Sequence, residues 1–154
     1  MTMQKIRTFL WYDGNAEEAV KFYIATLGNG KIIETMPGPG DKPMGLTFEL
    51  EGLEYMALNG GPQFKHTPAI SLFVSCKDQQ EVDRLWNAFT SGGGKESMCG
   101  WLEDKYGVSW QIIPTALMKM MGDKNPKKAQ ATMNAMLKMK KIIVKDLQAA
   151  YDAA

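Results

Sequence analysis

FLWYDGNAEEAVKFY, residues Phe9 to Tyr23, holds a strand, a turn and the start of a helix, and its apolar skeleton returns later in the chain. Ile6 to Tyr12 is apolar and aromatic-rich, which favours a strand. Asp13-Gly14-Asn15 is turn chemistry, with Asn15 placed to cap a helix. Ala16, Ala19, Val20, Tyr23 and Leu27 then recur at helical spacing, while Glu17, Glu18 and Lys21 face water. Shifted by 62 residues, Leu10-Trp11-Tyr12 falls on Leu72-Phe73-Val74, Val20 on Val82, Leu27 on Phe89 and Gly30 on Gly92. Further along the shift is 55, and Gly52-Leu53-Glu54-Tyr55 falls on Gly107-Val108-Ser109-Trp110. A unit repeated at this length implies two copies packed around a shared core, with a ligand space between them.

The rest of each copy keeps the same order. Lys31 to Met36 reads as a strand, Pro37-Gly38-Pro39-Gly40 as a loop, and Leu46 to Leu50 with Tyr55 to Asn59 as a hairpin. In the second copy Ala69 to Val74 reads as a strand, and Asp78 caps a helix with Val82, Leu85, Trp86 and Phe89 inward. Gly92-Gly93-Gly94 ends that helix, and Trp101 to Glu103 with Val108 to Ile113 closes the module. Each module is thus β-α-β-β-β, spanning about 4–61 and 67–114. Residues 115–154 form a helical extension, packed on the domain or on a dimer mate. Its apolar face is expected from Ala129, Met133, Met136, Leu137 and Met139 to Ile143, then Leu147, Ala150 and Tyr151.

The charge balance is 18 Lys+Arg against 17 Asp+Glu, with no basic block in the first 115 residues, so no nucleic-acid surface is expected. No apolar run reaches the roughly 20 residues of a membrane span, and no signal-peptide core opens the chain, so a soluble cytoplasmic protein is expected. Cys76 and Cys99 lie in different copies without CxxC spacing and read as reduced thiols.

Three stretches, FLWYDGNAEEAVKFY (Phe9 to Tyr23), FELEGLEYMALNGGPQFKHTPAISLFV (Phe48 to Val74) and GWLEDKYGVSWQIIP (Gly100 to Pro114), resemble the PhnB-like branch of the vicinal oxygen chelate superfamily. That superfamily includes glyoxalase I, extradiol dioxygenases and bleomycin-resistance proteins, and the resemblance spans residues 4 to 151. It implies an α+β fold of tandem βαβββ modules forming an open, cup-shaped mixed sheet. Members of this branch carry the label 3-demethylubiquinone 3-methyltransferase. A methyltransferase needs a Gly-rich turn between strand and helix of a parallel sheet, whereas the glycines here follow helices or sit in loops.

In metal-dependent relatives four strand positions hold a divalent ion through His, Gln or Glu. Carried through the repeat, those positions fall on Arg7, Met56, Ala69 and Gln111. Gln111 alone could donate to a metal, and one amide oxygen cannot hold it. The expectation is therefore no metal and no cofactor.

Alternation along the strands directs Arg7, Phe9 and Trp11, with Ala69, Ser71 and Phe73, into the cup, and places Ile70, Leu72 and Val74 under the helix. Glu54, Met56, Ser109 and Gln111 join from the terminal strands, and Tyr55 and Trp110 face the helices. Arg7 could pair with a ligand carboxylate or phosphate, with Glu54, or reach water at the rim. Trp11 and Phe73 could stack on a ligand or pack as structure. His66, the single histidine, lies in a linker and reads as a surface residue, while Glu103-Asp104 reads as solvent-facing or as a turn cap.

These residues point to a metal-independent protein that binds a small aromatic or amphiphilic molecule, with a metal-dependent lyase, isomerase or dioxygenase of the superfamily as the alternative. Homodimerisation is the expected assembly.

Overall fold

The computed structural model describes residues 4–154. Two compact units divide at His66 and Thr67.

The first unit runs β1 (Thr8–Tyr12), α1 (Ala16–Leu27), β2 (Gly30–Met36), β3 (Gly45–Leu50) and β4 (Leu53–Asn59). Its four strands lie in the order β1-β4-β3-β2, with β1 and β4 parallel and the other pairs antiparallel. One face carries α1: Ala16, Ala19, Val20 and Tyr23 are buried, as are Leu10, Tyr12, Phe48 and Ala57 on the strands beneath. The Tyr12 and Tyr23 hydroxyls satisfy each other in that core at 3.0 Å. Asn15 does not cap α1 with its side chain. The cap comes from the end of β4, where Asn59 Oδ1 accepts the Ala16 N–H at 2.9 Å. At the far end Gly28 (φ +79°) is left-handed, and its N–H closes on the Ile24 carbonyl.

The second unit repeats the plan with β5 (Ser71–Cys76), α2 (Gln79–Thr90), β6 (Lys95–Glu96), β7 (Trp101–Glu103) and β8 (Ser109–Pro114), in the order β5-β8-β7-β6. Asp78 caps α2 through the Glu81 N–H. Phe89 stacks on Trp110 at 4.4 Å between ring centres, and Ile112 is fully buried. The hairpin carboxylate Asp104 is a turn cap, and it is buried. It accepts the backbone N–H groups of Tyr106 (2.8 Å) and Val108 (3.0 Å) and the Trp110 indole N–H (2.9 Å).

Two expectations change here. The strand expected from Ala69 begins at Ser71 instead, and Ile70 is 71% exposed rather than packed under the helix. Pro68 brings no N–H to a ladder, and Thr67 holds the N–H groups of Ala69 and Ile70 in a turn. In the extension, α3 (Thr115–Met121), α4 (Pro126–Met136) and α5 (Val144–Asp152) are separate short helices. Met133 and Leu137 are exposed, and residues 139–143 lie outside any helix.

The packed surface of this extension is Leu117, Met120, Ile142 and Leu147 against Ile113 at the end of β8. Backbone bonds tie it down: Cys99 N–H to Met139 O at 2.7 Å and Gly100 N–H to Lys140 O at 2.8 Å. Gln79 grips it from α2, donating to Ile142 O at 2.9 Å and accepting the Val144 N–H at 2.7 Å. Lys141 adds an ion pair to Asp83 at 2.9 Å.

Candidate functional site

Every residue expected in the site from the first module lies on the face of its sheet opposite α1. Side chains alternate along a strand, so burial of Leu10, Tyr12 and Ala57 turns Arg7, Phe9, Trp11, Glu54 and Met56 outward. The register then sorts them into rows across the strands. Arg7 pairs with Glu54 at 3.2 Å, next to Glu49 and Lys31. The middle row runs Phe9, Met56, Thr47, Glu34, and the upper row Trp11, Leu58, Gly45, Met36.

Gly45 and Thr47 are small, so a hollow of about 60 Å³ opens above them. Phe9, Met36, Met56 and Leu58 supply its apolar wall, and Glu34 is its charged lining residue. Phe9 and Met36 are each about half exposed. Such a concave apolar surface with one charged group at its edge suits part of a small organic molecule. It is large enough for a ring edge or a short alkyl segment.

Two expected contacts are committed elsewhere. The Arg7 guanidinium is held by Glu54, with both side chains about one-third exposed. Trp11 packs against the chain leaving β4: its indole donates to Gly61 O at 2.8 Å, and Phe64 meets it edge-on at 4.9 Å. His66 is also engaged, with Nε2 2.7 Å from Trp11 O and its ring beside Tyr12.

In the second unit Ser71, Phe73, Ser109 and Gln111 share the face opposite α2. Phe73 pairs with Gln111 and then Trp101, and Ser71 pairs with Ser109. The Gln111 amide donates to Ser71 Oγ at 3.0 Å. Phe73 is 47% exposed, whereas Ser109 is buried.

The registers align the two copies differently from the repeat offsets. Met56 lies opposite Phe9, and Gln111 lies opposite Phe73. With Met56 and Gln111 equivalent, β1 and β5 align at an offset of 64 rather than 62. A two-residue slip preserves the face, so it leaves alternation intact and changes only the row. A phenyl ring cannot ligate a metal, and Ala69 lies outside the strand. Neither the expected nor the register-aligned quartet fits a divalent ion. Among the described residues, no group of three or more His, Cys, Asp or Glu side chains gathers.

Two units of β-α-β-β-β, each pairing its first strand in parallel with its last, define a glyoxalase/bleomycin-resistance fold. A glyoxylase/bleomycin resistance protein/dioxygenase domain from Frankia sp. shows the same fold at TM-score 0.50 and 12% identity, over 73% of this chain and 93% of that one. Protein PA1353 from Pseudomonas aeruginosa is similar at TM-score 0.61 and 24% identity, over 73% and 98% of the two chains. A Bacillus cereus protein described as a putative 3-demethylubiquinone-9 3-methyltransferase, PhnB protein, shares 36% identity at TM-score 0.66, over 72% of this chain and 99% of that one. The family model described as 3-demethylubiquinone-9 3-methyltransferase matches residues 4–113, and the chain belongs to that PhnB family. No curated protein matches. The matched residues 4–113 are the paired modules.

Proposed function

We propose that this protein is a metal-free binding protein for a small aromatic or amphiphilic molecule, seated on the outer face of the first sheet. The observation that supports this reading is the hollow over Gly45 and Thr47, apolar on its walls and open to solvent. Ser71, Phe73, Ser109 and Gln111 are proposed as a ligand surface on the sheet of their own unit. In the first unit the weight of the site moves from Arg7 and Trp11 to Phe9, Met56 and Leu58. Glu54 serves by holding Arg7.

Methyl transfer is not part of the proposal. The strand-to-helix turns are Asp13-Gly14-Asn15 and Lys77-Asp78, and neither offers the glycine-rich cradle such a cofactor needs. A homodimer is the proposed assembly. No helix among the described residues is long and apolar enough to cross a membrane.

The test is a titration with Nile red, an uncharged apolar dye read by its fluorescence, on the native chain and on Met56→Lys. Placing a charge in the hollow should weaken binding at least about tenfold, since burying an ion beside apolar walls is costly. Unchanged affinity would refute the site. Elemental analysis of the purified protein tests the metal-free claim: one divalent ion per chain would overturn it.

A further inference from the structure

The ligand's chemical class can be read from the charges around the hollow, given that the hollow is the binding site proposed above. Arg7 would have suited an anionic ligand, yet it is bound to Glu54 and lies one row away from the hollow. Glu34 stands in the middle row itself, as the charged residue lining the hollow. Among the described residues no hydrogen bond or ion pair engages its carboxylate, and it is exposed at the edge of the sheet on β2.

The rest of the lining suits an apolar body. Phe9 offers a ring, and Met56 and Met36 offer polarizable thioethers. Geometry sets the ligand's length. Phe9 sits on β1 and Glu34 on β2, three strand spacings apart, or about 14 Å at roughly 4.8 Å per spacing. A molecule lying along the row would place an apolar body over Phe9 and Met56 and carry its charge roughly 10 Å away.

We propose that the hollow selects an elongated cationic amphiphile, an aryl or alkyl body ending in a protonated or quaternary amine, with Glu34 as its counter-ion. Glu34 is a specificity-determining residue in this proposal, and Phe9 and Met56 hold the body.

The experiment compares 6-phenylhexylamine with 6-phenylhexanoate by isothermal titration calorimetry at neutral pH, on the native chain and on Glu34→Gln. The two probes share body and length and differ in the sign of the end group. The native chain should prefer the amine about fivefold, as suits one solvent-exposed ion pair, and Glu34→Gln should bring the two affinities together. Equal binding of both probes to the native chain would overturn the cationic class while leaving the apolar site standing. An amine preference that persists in Glu34→Gln would overturn the role of Glu34. Failure of both probes to bind would overturn the site itself.

Discussion

Replacing Asp104 by Asn tests the least expected feature of the second unit, a buried carboxylate built into a hairpin. Oδ1 of Asp104 accepts two backbone N–H groups, from Tyr106 and Val108, and Oδ2 accepts the Trp110 indole N–H. Both oxygens are engaged and the residue is 2% exposed. Asparagine keeps the shape but has one oxygen. If that oxygen serves the backbone pair, the amide N–H₂ points at the indole N–H and two donors face each other. If the amide flips, two backbone donors lose their acceptor instead. The first arrangement costs less, about 2 kcal/mol for one buried donor left unpaired. In a chain of 154 residues that lowers Tm by roughly 4–8 °C. The cause is isolated by a double-mutant cycle with Trp110→Phe, which deletes the indole donor. In that background Asp104→Asn should cost less than about 1 kcal/mol, because the facing donor is gone. Guanidinium unfolding followed by far-UV circular dichroism gives the energies without relying on the removed fluorophore. An equal cost of Asp104→Asn in both backgrounds would refute the argument.

A Cβ added at Gly60 would overlap the Trp11 ring, whose indole is already fixed to Gly61 O. Gly60→Ala should therefore cost about 1–3 kcal/mol in urea unfolding, through forced displacement of a rigid ring. Burial pushes the Cys76 thiol up to about 12, whereas Cys99 is half-buried. An aromatic disulfide reagent at pH 8 should thus label no more than one thiol in the native protein and both once it is unfolded. Hydrogen bonds from Lys141 and Gln79 hold the Asp83 carboxyl below its ordinary value of 3.8. A lowered folded-state value means that its stabilisation is present above the ordinary value and lost as pH falls through the folded one. The stability difference between the native chain and Asp83→Asn should then shrink as pH drops from 5 to below about 3.8. A difference that stays constant over that range would remove Asp83 from the anchoring of the extension.

The fold was legible because periodicity reports burial. Ala16, Ala19, Val20 and Tyr23 repeat at helical spacing and are all buried, and the second helix holds Val82, Leu85, Trp86 and Phe89 in the same role. Which face each strand residue takes was legible for the same reason, since alternation survives any even slip in register. The row was not legible. Trp11 and Phe73 coincide at an offset of 62 through similarity of the aromatic pattern, while hydrogen bonding aligns Phe9 with Phe73. Alternation put Arg7 and Glu54 on one face and offered the pairing that forms, but it could not say that Glu34 edges the hollow, which depends on neighbouring strands distant in sequence. A signal for the hollow did exist. Gly45 and Thr47 are small outward positions alternating with the buried Leu46 and Phe48, and small outward residues on an internal strand leave space. The extension misled for a different reason. Met133 and Leu137 sit at helical spacing with Ala129, but the chain turns after Met136 and buries Ile142 instead.

The hollow arises from an inequality between the two copies. Aligned by register, Phe9 corresponds to Phe73, Met56 to Gln111 and Thr47 to Trp101. The outer strands differ as well, because β2 has seven residues, including Glu34 and Met36, and β6 has two. So the second unit places an indole where the first leaves a methyl and a hydroxyl, and its short edge strand supplies less wall. Copying that residue across is therefore a direct test. In Thr47→Trp the indole should fill and block the hollow of about 60 Å³. Thr47 points away from the core beneath α1, so stability should change by less than about 1 kcal/mol, the range expected of a half-exposed strand position. Binding of Nile red and of 6-phenylhexylamine should both fall at least about tenfold, a loss of about 1.4 kcal/mol or more. A Thr47→Trp protein that is folded and binds both probes as the native chain does would place the site elsewhere.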